Sequence, residues 1–455
     1  MIARLIPLAV AVLLAGTATG QTLVEAAKNA DKDAVRAFIQ KKADVNAAAA
    51  DGSTAVHWAA YRDDLESADL LLRAGASVNA ANDLGVTPLW TASLNGSVSM
   101  VRRLLAAHAN PNAALLAGET PLMVAARGGY AEVADLLLNK DANVNAHGAR
   151  GQTALMWAVA QKHPDVVKVL LAHGADLKAR SDVWNEVMAV PPHGNLEYNR
   201  AIPHGGETAL LFAARVGDLE SAKLLVAAGA NVQDADAWGV SATVLAAHSG
   251  FGEMVEFFLD KGADPNLAAA GFTALHVSIM RRDEKTVKAL LAHGADANAP
   301  LKTWTPTRRD SHDLYFGPAL VGATPFWLAA RFSQPGVMRL LVEHGADPLF
   351  VLHSDYPQVR AQRRRETTTA VMAAMGMGGG VAWVQPAREE RETLALEAVK
   401  FGAELGVDVN AANTDGRTAL DAAKTLKYDT VAKFLVEKGA RSTGKPARPE
   451  PATEQ

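Results

Sequence analysis

Residues Ala117–His147 read AGETPLMVAARGGYAEVADLLLNKDANVNAH, and this stretch decides the fold. Thr120 supplies a hydroxyl that caps a helix start, Pro121 suits the first helical position, and Gly128-Gly129 provide the positive φ that ends the helix. A second helix is expected from Ala131 to Asn139, because Val133, Leu136 and Leu137 fall at i, i+3 and i+4 on one face. Asp141 to Asn145 then turn the chain outward. Such a unit buries about five large side chains at roughly 1.5 to 3 kcal/mol each. Ordering its backbone costs roughly 1 to 2 kcal/mol per residue, so one copy does not fold alone.

The copies are present. Thr54, Thr87, Thr120 and Thr153 stand 33 residues apart and open STAVHWAA, VTPLWTAS, ETPLMVAA and QTALMWAV. The series resumes at Thr208, Ser241, Thr273 and Thr324 and closes at Thr369 and Thr418. The second halves are as regular: LESADLLLRAGASVNA, DVVKVLLAHGADLKA and KTVKALLAHGADANA show the pattern. A constant period of this length means stacked repeats sharing a continuous core. Thr-Pro-Leu-x-x-Ala-Ala, Gly, then Val-x-x-Leu-Leu-x-x-Gly-Ala-Asp-x-Asn-Ala resembles the ankyrin repeat, over nearly everything from Thr22 to Ala440. The resemblance implies an all-α solenoid of about ten helix-turn-helix units with β-hairpin fingers, of the kind that binds other proteins. The family's histidine after Thr-Pro-Leu survives only as His57 and His276, and elsewhere Trp90, Met123, Met156, Leu211, Val244, Trp327, Met372 or Asp421 replaces it.

The array has ends and interruptions. Residues 21–50 read as an N-terminal capping repeat, 51–440 as the array, and the proline-rich, polar segment 441–455 as a disordered tail. Insertions occupy about 182–205, 300–321, 348–366 and 376–391. The first three fall after a second helix and before the next Thr, which places them in the fingers and on one face of the array. The fourth separates the two helices of the most degenerate unit, whose second helix is expected from about Thr393 to Glu404.

Composition bounds the function. A net charge of −4 opposes nucleic-acid binding, which needs a broad positive footprint. The opening MIARLIPLAVAVLLAGTATGQ puts Arg4 before an apolar run, Leu5–Ala15, with Ala18 and Gly20 as the small residues ahead of a cut before Gln21. This is the pattern of a secretory signal over residues 1–20, with a run short for a membrane-spanning helix; the alternative reading is an uncleaved N-terminal anchor. The expected location is periplasmic or secreted, and no other stretch is long and apolar enough to span. With no cysteine, there is no disulfide, thiol nucleophile or cysteine metal site.

The insertions differ chemically from the repeats. They hold Trp184, Tyr198, Trp304, Tyr315, Phe316, Tyr356 and Trp383, with Arg308, Arg309, Arg363, Arg364 and Arg365. Aromatic rings and guanidinium groups make binding hot spots, so these residues are the expected contact surface for a protein partner, together with the concave face. The competing reading is that the loops fold back on the array, each ring forming a local core, and that the arginine run is neutralised by Asp355 and Glu366. His193, His204, His312 and His353 match no metal-ligand spacing, and no His-Glu-x-x-His occurs. Gly376–Gly380 follows a helix and lacks a succeeding Lys-Ser or Lys-Thr, so it fits no phosphate loop. The recurrent Asn46, Asn79, Asn112, Asn145, Asn266, Asn298 and Asn410 read as turn formers. The expectation is a non-catalytic scaffold with no cofactor and no metal. The alternative is an enzyme or a small-molecule, glycan or metal site assembled from the insertions, with His204, His312 or His353 in a shared pocket. Excising Leu301–Val321 is expected to abolish partner binding while leaving helical circular dichroism nearly unchanged.

Overall fold

The computed structural model describes residues 21–188, 200–305, 315–357 and 363–446. The chain divides into two compact units, Met1–Asn143 and Val144–Gln455. In the first, α1 (Leu23–Lys28), α3 (Ala55–Tyr61), α5 (Pro88–Leu94) and α7 (Pro121–Gly128) stack one on the next. Each is followed by an outer helix: α2 (Lys32–Gln40), α4 (Leu65–Arg73), α6 (Val98–Ala106) and α8 (Ala131–Leu138). The second unit continues the pattern with inner helices α9 (Ala154–Ala160), α11 (Ala209–Val216), α13 (Ala242–Ser249), α15 (Ala274–Met280), α17 (Pro325–Arg331), α19 (Ala370–Ala374) and α21 (Ala419–Leu426). Their outer partners are α10 (Pro164–Ala172), α12 (Leu219–Ala227), α14 (Gly252–Asp260), α16 (Glu284–Ala292), α18 (Pro335–Glu343), α20 (Arg391–Glu404) and α22 (Asp429–Glu437). The fold is the expected α-helical repeat solenoid.

All ten periodic Thr and Ser residues are helix N-caps. Thr120 Oγ1 accepts from Met123 N–H at 3.3 Å, and Gly129, at φ 78°, closes the same helix in the left-handed region. The inner helix α7 packs against α5 and α8, and Leu122, Met123, Val124, Ala125 and Ala126 are all buried. An outer helix buries one stripe, as Val133, Ala134 and Leu137 do, and leaves the rest to solvent.

The periodic asparagines do more than turn the chain. Asn112 Nδ2 donates to Asp141 O at 2.9 Å, while its Oδ1 accepts from Asn143 N–H at 2.7 Å. One side-chain amide thereby satisfies a carbonyl and an N–H of the following repeat. Asn46, Asn79, Asn145, Asn266, Asn298 and Asn410 make the same pair of bonds, and Gln233 makes it with a longer arm. Asn298 reaches Gly345 O and Asp347 N–H across the second insertion, both at 2.8 Å, so that loop leaves the stack uninterrupted. Lys178 and Leu349 occupy the equivalent place in their repeats, and a β-hairpin follows each of them.

Those hairpins are β1 (Val183–Met188) with β2 (Arg200–Gly205), and β3 (Leu352–Pro357) with β4 (Arg363–Thr368). Regular fingers are plainer than the resemblance implies. Among the described residues they are turns, with isolated bridges at Ala48–Thr54, Ala235–Ser241 and Ala412–Thr418. Full hairpins form only where the insertions lengthen the finger. At the C-terminal end, Asp421 accepts from Thr418 N–H at 2.9 Å, Ser442 Oγ at 2.6 Å and Thr443 N–H at 3.0 Å. Residues 442–444, read as tail from sequence, therefore pack on the last inner helix; burial opposes ionisation of Asp421, yet these bonds hold its carboxyl well below the usual range. Residues 447–455 and 1–20 lie outside the described residues.

The two retained histidines link repeats. His276 Nδ1 accepts from Thr273 N–H at 3.1 Å, which leaves the Nε2 proton for Ala299 O at 3.0 Å; His57 pairs the same way with Thr54 and Val86. Burial lowers the pKa of His276 to about 4 and also lowers that of His57. The folded state thus binds fewer protons than the unfolded chain, whose histidines titrate near 6.5. Stability is fully present above about pH 6.5 and falls as pH drops toward about 4, by roughly 3 kcal/mol for His276. Urea midpoints measured across that window are expected to show the fall, with a flatter profile for His276→Leu. Asn298→Ala is expected to lower stability by about 0.5 to 1.5 kcal/mol through the loss of two exposed hydrogen bonds, with native helical circular dichroism retained before the transition.

Candidate interaction surface

The first insertion is tied at its neck. Ser181 N–H donates to Glu207 O at 3.0 Å and Glu207 N–H returns to Ser181 Oγ at 3.1 Å. Arg180 adds bonds to Gly206 O at 2.5 Å, Ala235 O at 2.9 Å and the Asp234 carboxylate. Gly205, at φ 80°, passes so close to Asp182 O that a Cβ would lie 2.0 Å from it. From this base the β1–β2 hairpin rises, and its register sets Trp184 opposite His204. The two rings stack at 5.7 Å with planes 21° apart, and the Arg150 guanidinium sits 5.5 Å from the indole. Glu186 Oε2 is 3.5 Å from His204 Nε2. Trp184 remains 42% exposed, and Val183 and Val187, on the other face, are 58% and 69% exposed. Tyr198 lies outside the described residues.

The second and fourth insertions form one packed body. Leu301 N–H donates to Ala323 O at 2.9 Å and Gly322 N–H to Leu301 O at 2.7 Å, closing the neck. Phe316 N–H donates to Thr305 Oγ1 at 2.7 Å, and Thr305 N–H to Phe316 O at 3.0 Å. The Phe316 ring is fully buried, 5.2 Å from Phe272 and 5.3 Å from Trp383. Trp383 Nε1 donates to Tyr315 O, and its ring meets the His248 edge at 5.7 Å. Burial pushes the half-buried Tyr315 phenol up. Trp304 is also half-buried, and Arg308 and Arg309 lie outside the described residues.

The third insertion joins them through glycines. Glu366, on β4, is buried and accepts from Gly378 N–H and Asn413 Nδ2, both at 3.3 Å. Arg331 donates to Gly379 O at 2.8 Å and to Gly380 O at 3.0 Å. A Cβ on Gly378 would stand 2.6 Å from the Trp327 ring, and one on Gly379 3.2 Å from the half-buried Tyr356 hydroxyl. Gly378–Gly380 are therefore a close-packed junction, which is why these positions need glycine. Of the arginine run, Arg363 and Arg365 converge on Asp355 at 2.9 and 3.2 Å and hold its carboxyl below the usual range. Arg364 pairs with Glu366 at 3.2 Å.

Two expectations change. Leu301, Phe316 and Leu320 are fully buried, so excising Leu301–Val321 would strip the cover from Phe272 and Trp383 and would not leave the fold intact. His204 and His353 occupy separate hairpins, the latter bonded to Thr367 Oγ1 at 3.1 Å, while His312 lies outside the described residues. A cleft of about 300 Å³ beneath the glycine-rich loop is lined by Arg331, Val381, Arg391, Leu426 and Tyr428 among others, and by no histidine. Among the described residues no group of His, Asp and Glu gathers as a metal ion requires. Sequence reasoning missed Arg150 and Arg331, and it read Glu366 only as a counter-ion of the arginine run. Arg150 was visible only as a charged residue in a finger, and Glu366 meets Asn413 across 47 residues with no local signal.

Comparison with known families matches "Ankyrin repeats (3 copies)" over residues 23–115, 107–181, 194–269, 210–301 and 268–352, and "Ankyrin repeats (many copies)" over 155–226. The chain belongs to the ankyrin-repeat family. An ankyrin repeat-containing protein of Treponema pallidum (strain Nichols) is 38% identical over 93 residues, covering 20% of this chain and 31% of the relative. The chain thus spans about a third of the length of the curated relative it matches. Ankyrin repeats generally mediate protein–protein interaction and are typically non-catalytic. Among the described residues of this ankyrin-repeat protein, no helix is long and apolar enough to cross a membrane. Gly378→Ala is expected to cost about 2 kcal/mol or more, from the ring contact and the φ of 93°, read as a lowered urea midpoint with a red shift of tryptophan emission.

Proposed function

We propose that this ankyrin-repeat protein is an exported, non-catalytic scaffold that holds a protein partner through its concave face and the finger insertions between about Trp184 and Trp383. One observation carries the reading: the β1–β2 hairpin lifts an exposed tryptophan and two exposed valines off a tightly tied base. Exposed apolar groups on a fixed finger suit recognition, because a rigid ring offers contact area at small entropic cost. Trp184 is held by His204 and Arg150 before any partner arrives. Of the other insertion residues, the exposed Arg363 and Arg365 and the half-buried Trp304, Tyr315, Tyr356 and Trp383 border the surface, whereas Phe316 acts as an internal anchor. Export is supported by Arg4, the Leu5–Ala15 run and the small residues before Gln21. The net charge of −4 favours protein over nucleic acid as the partner.

The test compares the full chain with a Trp184→Ala/Val187→Asp variant in pull-downs from periplasmic extract, followed by identification of the captured protein and titration. Affinity is expected to fall at least tenfold. The unfolding free energy from urea titration should stay within about 1 kcal/mol of the parent, since both side chains are exposed and only the His204 and Arg150 ring contacts are lost. A partner that binds both forms equally would place the contact elsewhere.

A further inference from the structure

We infer that Gln21 becomes the amino terminus of the exported protein and closes into a pyroglutamyl ring. The inference rests on the export reading and goes one chemical step beyond it. Two independent observations meet at this residue. In the sequence, Ala18 and Gly20 are the small residues that a signal peptidase needs before a cut ahead of Gln21. In the structure, the helical array starts at the next position. Thr22 N–H donates to Glu25 Oε2 at 2.8 Å, Glu25 N–H donates to Thr22 Oγ1 at 3.1 Å, and α1 follows with Leu23 and Val24 buried. Every bond of this capping box lies on the C-terminal side of the cut. Gln21 is exposed and outside the helix, and among the described residues no hydrogen bond engages its side chain.

Those are the conditions for cyclisation. Cleavage frees the Gln21 α-amine, which is partly unprotonated near neutral pH because such amines titrate at about 7.7 to 8.0. The amine nitrogen attacks Cδ of its own side chain and forms the C–N bond of a five-membered lactam. The Cδ–Nε2 bond breaks, and the amide nitrogen leaves as ammonia after taking a proton from the attacking amine. No oxidant, reductant or co-reactant takes part, and the chain loses the mass of one ammonia. The product is neutral. The ring also leaves no free amine for an aminopeptidase.

The experiment expresses the full chain with its own leader in a bacterial host, purifies the protein from the periplasm and measures its intact mass and N-terminal peptide by tandem mass spectrometry. The expected N-terminal peptide begins at residue 21, is lighter by one ammonia than the Gln form, and carries amine-reactive label on lysine side chains but none on its α-nitrogen. Gln21→Ala, cut at the same place, should label fully. A peptide that begins at Gln21 with a free amine overturns the inference while leaving export intact. A chain that keeps Met1, or begins at another residue, overturns the inference together with the proposed cleavage.

Discussion

A side-chain amide bonded to the backbone of the following repeat is the interaction on which this structure depends. A helix pair of this size cannot offset its own ordering entropy, so each repeat is stable only while its neighbours hold it in register. Apolar stacking supplies most of the free energy, and the bonds of Asn112 to Asp141 and Asn143 add directional contacts that form at one register only. Asn298 shows the strength of the device, closing the same geometry over a skipped segment as Asn266 closes without one.

The repeats were legible in the sequence because every signal that defines them is local and periodic. Thr120, Pro121 and Gly129 act within a few residues, and a 33-residue spacing announces stacking before any contact is known. The insertions were legible as interruptions, and their chemistry as aromatic and cationic, but their disposition was not. Phe316 and Trp184 look alike in composition, yet one is sealed between Phe272 and Trp383 and the other stands in solvent. What separates them is contact between segments tens of residues apart. The role of asparagine was half read: turn formation is local and visible, whereas the bond across to the next repeat is not.

The glycine-rich loop shows how the degenerate repeat keeps its place. Its first helix is short, spanning Ala370–Ala374, and its second starts only at Arg391. Arg331 from the preceding repeat and Glu366 from the β3–β4 hairpin clasp the intervening loop by its backbone, so the lost helical turns are replaced by polar bonds to carbonyls and an N–H. Insertions that look separate in sequence thereby become one body with the repeats they interrupt.

The two positions without an amide have a further consequence. After Lys178 the bridge to the next repeat runs through Arg180 to Gly206, Ala235 and Asp234, and after Leu349 it runs through Glu366 to Gly378 and Asn413. Neutral rungs give way to ionic ones at these two points only among the asparagine-equivalent sites described. Charged links respond to the surrounding solution as amides do not, and the Arg180–Asp234 pair is open enough to feel salt. Of the two links, the buried Glu366 is shielded from salt while the Arg180–Asp234 pair is not, and the exposed hairpin of Trp184 stands on the second.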